Sequence, residues 1–393
     1  MRKFSFFILL FFVPLMNSGL HMFGIVICWF SFCLILSYKE IIHTKLYIVD
    51  CFFIMIFFVY CLSTIVLKSY DLNSLKTNTY IVVIIYISIV YIFVSLLSNF
   101  NYKYIVKIFR YCLIILAITI LFQWSFFFLT GDYIDLNKIV SFGASESRYT
   151  SPTFKVMGLI RPTAFFTEPS NASAIISMIT FCYMFLIKKL DGYVILGFFI
   201  SILTLSTAGV LIGSISLCIL LLFYRNNSKT LLFKILFFIF CSIFIFYMLS
   251  FSYERISNSS EYDMIATRTV VTNIIQSQSW YNHLIGNGIN ILSKPIYTEG
   301  NIIYDYSFRD SGFFVNLYYS FGIIGLFSFL FWARIQIKNN IHLIIFFIIL
   351  QSKFDYLQPV FWLLIFTISI LNSNKMKNKH SSDKNLNTNL LHF

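Results

Sequence analysis

Apolar residues fall along this chain in runs about as long as a bilayer is thick, separated mostly by short polar breaks. Runs at 4–17, 21–37, 46–66, 80–98, 110–130, 170–187, 192–206, 208–224, 231–250, 312–332, 341–351 and 358–372 predict twelve helices. A hydrocarbon core of about 30 Å takes about 20 apolar residues as a helix, and a helix pairs its own backbone groups, so such runs predict membrane spans. The first run is short and carries Pro14, and 192–224 and 341–372 are hairpins with members near or below spanning length, which sets the count at 11 to 13. The first run, preceded by Arg2 and Lys3, also has the length of a signal peptide, but no A-x-A-like site follows it and a second run begins at once.

Two breaks are long, about 131–168 and 251–311, and loops of that size are functional or disordered rather than plain connectors. The second contains Ile265, Val271, Ile274 and Ile275 near helical spacing, which predicts a short amphipathic helix from about Glu261 to Gln278, suited to lie on the membrane surface. Gly286 and Gly288 follow as turn residues. The expected organisation is an all-α polytopic membrane domain, 1–372, with two large extracytoplasmic loops and a polar, lysine-rich, disordered cytoplasmic tail at 373–393.

Composition agrees with lipid as the solvent. The chain is 59% hydrophobic and 11% charged, with 48 Phe and 25 Tyr, and its mean hydropathy is +0.81. A net charge of +13 would suggest nucleic acid in a soluble protein; here it follows orientation. With the N-terminus in the cytoplasm, 18 of the 29 lysines and arginines fall in inside connections, and every inside connection is basic. Both termini are then cytoplasmic. The eight cysteines lie in apolar runs without C-x-x-C spacing, and there is no nucleotide-binding glycine motif or His/Cys cluster, so no metal, no cofactor and no nucleic acid are expected. The six histidines, His283 among them, are scattered and read as bystanders.

The chemistry concentrates in Gly158 to Ala174, GLIRPTAFFTEPSNASA, just before the sixth run. Pro169 suits a first helical turn, which starts the helix near Thr167 to Ser170 and sets Glu168 at the membrane boundary. A carboxylate there also suits the positive end of the helix dipole. Arg161 is able to pair with Glu168 or with lipid phosphates. Arg148, Arg161, Arg255, Arg268 and Arg309 are the outside arginines, all in the two long loops, on a face where 11 basic and 12 acidic residues nearly cancel. The guanidinium is a planar fork suited to phosphate oxygens, so several of them at a lipid interface point to a lipid-linked phosphate or pyrophosphate, with nearby carboxylates as candidate bases.

Three stretches carry a resemblance: Arg161 to Ala174, RPTAFFTEPSNASA; Ser206 to Gly213, STAGVLIG; and Leu284 to Ile289, LIGNGI, with Asp310 to Leu326, DSGFFVNLYYSFGIIGL. In this order the chain resembles the bacterial O-antigen polymerases of the Wzy type, membrane glycosyltransferases of lipopolysaccharide and other polysaccharide biosynthesis. The resemblance implies an inner-membrane enzyme that joins undecaprenyl-pyrophosphate-linked repeat units on the periplasmic face. Its substrates are lipid-linked oligosaccharides, and its partners are membrane lipids and a chain-length regulator protein. On this reading Arg161, Arg268 and Arg309 are the candidates for donor pyrophosphate, and Glu168 and Asp310 for orienting or deprotonating the acceptor hydroxyl. The R-x10-G spacing of some members is not met, since position 172 is Ala and position 279 is Ser. A lipid-linked oligosaccharide flippase is the alternative from another class; it predicts internal repeats and midplane charge, whereas charge here gathers at one face, with Asp50 the main exception. The related O-antigen ligases carry His-Asn where Asp310 and Ser311 stand here.

Overall fold

The structure, a computed structural model, describes residues 102–140, 146–147, 160–223, 264–288, 296–298, 301–303, 308, 311–352, 354, 356, 358 and 360–369. Isolated positions at 55–56, 59–60, 87–88, 90–91, 239, 242–243, 246–247 and 250 are also described. The runs at 4–17 and 21–37, the tail, Arg309 and Asp310 lie outside the described residues. The runs at 46–66, 80–98 and 231–250 are represented by isolated helical positions alone.

The described residues are mostly helical. In chain order they form α1 (Tyr102–Thr130), α2 (Leu136–Val140), α3 (Pro169–Ile187), α4 (Gly192–Leu203), α5 (Thr207–Phe223), α6 (Met264–Ser277), α7 (Trp280–Ile285), α8 (Phe313–Gln336), α9 (Asn340–Leu350) and α10 (Val360–Ser369). Three of them, α1, α3 and α8, are long and apolar enough to cross a membrane. A short hairpin is also described: β1 (Ile296–Thr298) and β2 (Asn301–Ile303) pair antiparallel, with Tyr297 opposite Ile302. The all-α expectation missed this hairpin, whose strands are separated in sequence by Glu299 and Gly300.

Local chemistry sets the helix ends. Pro169 occupies the first turn of α3 after Glu168 at the N-cap, where the expected start fell. The Asp191 carboxylate accepts from the Tyr193 and Val194 amides to start α4, and Asn339 does the same for Ile341 and His342 at α9. Lys188 closes α3 in the left-handed conformation, its amide donating to Met184 O.

Helix α3 is the centre of the bundle: 83% of its apolar span is buried, against 33% for α1 and 44% for α8. It packs on α1, α4, α5 and α9. Between α3, α4 and α5 the contact is made by small and hydroxylated residues. Ser173 Oγ lies 2.9 Å from Ser206 Oγ, and Ser177 Oγ 2.9 Å from Ser201 Oγ. A Cβ on Gly209 would stand 2.5 Å from Ser173 Cβ, so only glycine permits this approach of α5 to α3. Lipid supplies no hydrophobic drive between helices, and close backbone packing with interhelical hydrogen bonds takes its place.

Ring contacts fix the relative directions. Phe181 lies 5.6 Å from Phe346 and Phe185 lies 6.1 Å from the His342 ring, so α3 and α9 run antiparallel. Gly312, ahead of α8, abuts the Gln351 side chain at the end of α9. Gln123 near the end of α1 reaches Ala164, and Trp124 Nε1 donates to Leu203 O. The end of α1, the start of α3, the α4–α5 turn, the end of α9 and the start of α8 therefore share one end of the bundle.

Candidate functional site

At that shared end the segment 160–168 is anchored residue by residue. Gln123 on α1 accepts from the Ala164 amide at 2.8 Å and donates to Tyr133 Oη and Ile134 O. Tyr133 Oη lies 2.7 Å from Thr163 Oγ1, which ties the beginning of the first long loop to its end. Burial pushes the Tyr133 phenol up to about 12, outweighing the opposing hydrogen bonds. Asp135 accepts from the Asn137, Lys138 and Ser147 amides, so the described part of this loop is built rather than slack.

Arg161 is 6% exposed, and its Nε donates to Leu205 O at 3.1 Å. This bond joins two of the three stretches singled out in sequence, since Leu205 directly precedes Ser206. The Ser173–Ser206 hydroxyl pair makes the second link between them. Both sides of the joint carry backbone strain: Ala164 has φ 50° and Leu205 φ 49°, left-handed values at residues other than glycine. Each such residue costs on the order of 1–3 kcal/mol, and strain of this kind clusters at functional sites.

Glu168 stands at the start of α3 at intermediate exposure. Its side chain makes no cap bond to the α3 amides, and Ser170 Oγ donates to its Oε2 at 3.1 Å. The structural duty that a helix start offers a carboxylate is thus not taken up through hydrogen bonds. Arg268 stands exposed on α6, and Arg309 and Asp310 lie outside the described residues. The structure therefore brings Arg161 and Glu168 to one segment.

The third stretch is joined in a way the sequence did not announce. Helix α8 is broken at Gly322, which has φ 64° and ψ −165°. The break diverts the carbonyls of Tyr319 and Ser320 from their usual helical partners, and the amides of Asn287 and Gly288 donate to them at 2.9 Å each. LIGNGI is thus the cover of the break. Tyr60 Oη also reaches Ile285 O and Ser320 O, both at 2.7 Å. Ser320 Oγ pairs with Tyr356 Oη in the α9–α10 connection, which places the break at the same bundle end as Arg161.

Helix α6 matches the expected amphipathic helix, but its apolar face meets protein. Val271 is buried with Phe308 and Tyr319, and Val270, Ile274, Ile275 and Val315 pack around them. Phe308 stacks on Tyr319 with ring centroids 4.0 Å apart. Beside this cluster runs a polar chain that sequence reasoning missed: Asn287 Nδ2 to Gln278 Oε1 at 2.8 Å, Gln278 Nε2 to His283 Nδ1 at 3.1 Å, and His283 Nδ1 to Tyr318 Oη at 2.6 Å. Its one sequence signal is a histidine with Trp280 and Tyr281 just before it in a loop otherwise lacking tryptophan.

Together these features define a mostly helical chain, with helices long and apolar enough to span a membrane and a polar, strained, closely tied constellation at one bundle end. The chain matches no family model, no curated protein and no solved structure.

Proposed function

We propose that the chain is a polytopic inner-membrane glycosyltransferase of about twelve spans, with both termini cytoplasmic. It polymerises surface polysaccharide from undecaprenyl-pyrophosphate-linked repeat units on the periplasmic face, alongside a chain-length regulator. The observation that carries this reading is Arg161: a permanently charged guanidinium, 6% exposed, held on a strained backbone joint in the segment that leads to Glu168 at the start of α3. A guanidinium is a planar fork of donors that stays charged at any working pH, and its geometry fits the oxygens of a pyrophosphate.

In the proposed step the acceptor hydroxyl oxygen bonds to the anomeric carbon of the donor sugar, and the bond from that carbon to the pyrophosphate oxygen breaks. The pyrophosphate leaves with the electron pair and is stabilised by Arg161, with Arg268 and Arg309 as further cations. The hydroxyl proton passes to Glu168 or Asp310. The end of the bundle that holds Arg161 is the outer one in this topology, because the basic connections lie at the opposite end, where Lys188 and Lys189 follow α3.

The test is gel banding of the extracted polysaccharide. Deleting the gene is expected to leave single repeat units, and Arg161→Ala restored in that background gives the same pattern with the protein present in membranes. Arg161→Lys keeps the charge but loses the fork, and is expected to shorten or abolish the ladder. A normal ladder from Arg161→Ala removes the proposed role, and loss of all surface glycan on deletion points to a flippase.

A further inference from the structure

We propose that Trp280 and His283 form a sugar-binding subsite on α7, with the Tyr281 ring set against Trp280, presenting an aromatic face and one fixed N–H donor to the glycan of a lipid-linked substrate. This deepens the reading above and rests on it for the source of the sugar.

The donor is fixed by a chain of hydrogen bonds that begins at a backbone carbonyl. Tyr319 O only accepts, and Asn287 Nδ2 approaches it at 3.1 Å, which sets the orientation of the Asn287 amide. The same Nδ2 donates to Gln278 Oε1, so the other atom of that amide, Nε2, is a donor. It points at His283 Nδ1, which therefore accepts, and Tyr318 Oη donates to the same nitrogen. The proton of the neutral ring consequently sits on Nε2, the edge directed away from these partners. Four residues thus hold one imidazole in one tautomer, with its N–H turned off the network.

The aromatic component lies within one turn. Trp280 precedes His283 by three residues, so the two share a helix face. Trp280 is 76% exposed and Tyr281 50%, and the two rings stand edge to face with centroids 6.4 Å apart. A tryptophan or tyrosine at a membrane boundary is ordinarily an interface anchor. An anchor, however, has no use for a neighbouring imidazole locked into one tautomer. A pyranose does: its C–H face stacks on an aromatic ring while its hydroxyls accept from a fixed donor. The platform also sits on the loop that covers the α8 break, at the bundle end that holds Arg161.

The experiment uses the full chain in lipid nanodiscs. The probe is the host strain's own repeat-unit oligosaccharide, released from its carrier and titrated by calorimetry without turnover. Trp280→Ala and His283→Ala are expected to weaken binding at least tenfold. His283→Gln, whose amide restores a donor, and Trp280→Phe, which keeps a ring, are expected to stay within about threefold of the parent. Tenfold losses confined to the two alanine variants support the subsite. Parent-like binding by both, or no binding by the parent protein, overturns it. So does unchanged binding by Trp280→Ala accompanied by loss of fluorescence quenching from brominated lipid, which marks Trp280 as an anchor. The polymerase reading fails separately: a deletion strain that keeps a normal ladder sinks polymerisation, while tenfold losses confined to the two alanine variants still support the subsite.

Discussion

Gly286→Ala tests whether the second long loop is fastened to the broken helix as described. Gly286 has φ 82° and ψ 179°, a conformation essentially restricted to glycine, which costs on the order of 1–3 kcal/mol elsewhere. An added Cβ would also stand 2.3 Å from Ser320 O and 2.4 Å from Ser320 C, where no flexible side chain is available to yield. Relief requires the loop to withdraw from α8, which forfeits the Asn287 and Gly288 amide bonds at about 0.5–1.5 kcal/mol each. Strain and clash together destabilise the closed loop by about 2–6 kcal/mol, and the lower bound corresponds to about 30-fold in an opening equilibrium. Hydrogen exchange read by mass spectrometry over residues 280–290 is the assay, and the variant is expected to exchange at least about 30-fold faster than the parent. Gly192→Ala is the control, because a Cβ there meets nothing within 4 Å. Exchange in Gly286→Ala within about threefold of the parent would refute the fastening.

Gly209→Ala places a methyl 2.5 Å from Ser173 Cβ and is expected to destabilise the bundle by about 1–3 kcal/mol, seen as a lowered thermal midpoint in detergent. Tyr133 gives a pH signature: its folded-state value of about 12 exceeds the ordinary 10, so the unfolded chain releases the proton first. Its contribution of about 3 kcal/mol is therefore whole below pH 10 and lost as pH rises toward 12, and Tyr133→Phe is expected to flatten the stability profile across that window.

Much of the helical frame was legible because it is written in local chemistry. Apolar runs, Pro169, Asp191 and Asn339 fix most of the described helix ends to within a few residues, although α1 begins at Tyr102, eight residues before the expected 110. What was not legible depends on residues far apart in the chain. The run through Gly322 reads as one uninterrupted helix, and the LIGNGI backbone, about 35 residues earlier, helps to make a break there tolerable. The sequence marks Arg161 as a candidate for phosphate, but its burial against Leu205 O spans 44 residues and has no periodic signal. His283 reads as a bystander in sequence because Tyr318, 35 residues on, becomes its neighbour only when α7 meets α8. The β1–β2 hairpin was missed because two three-residue strands are too short for alternation to register.

The covered break in α8 also bears on how the chain is assembled. A break left open in lipid would expose the Tyr319 and Ser320 carbonyls at several kcal/mol each. Residues 286–288, which answer them, are synthesised before α8 and so precede it out of the ribosome. The cover exists before the gap. Helix α8 can thus settle directly onto a waiting strip of backbone, and any variant that delays the loop should turn a folding step into an insertion defect.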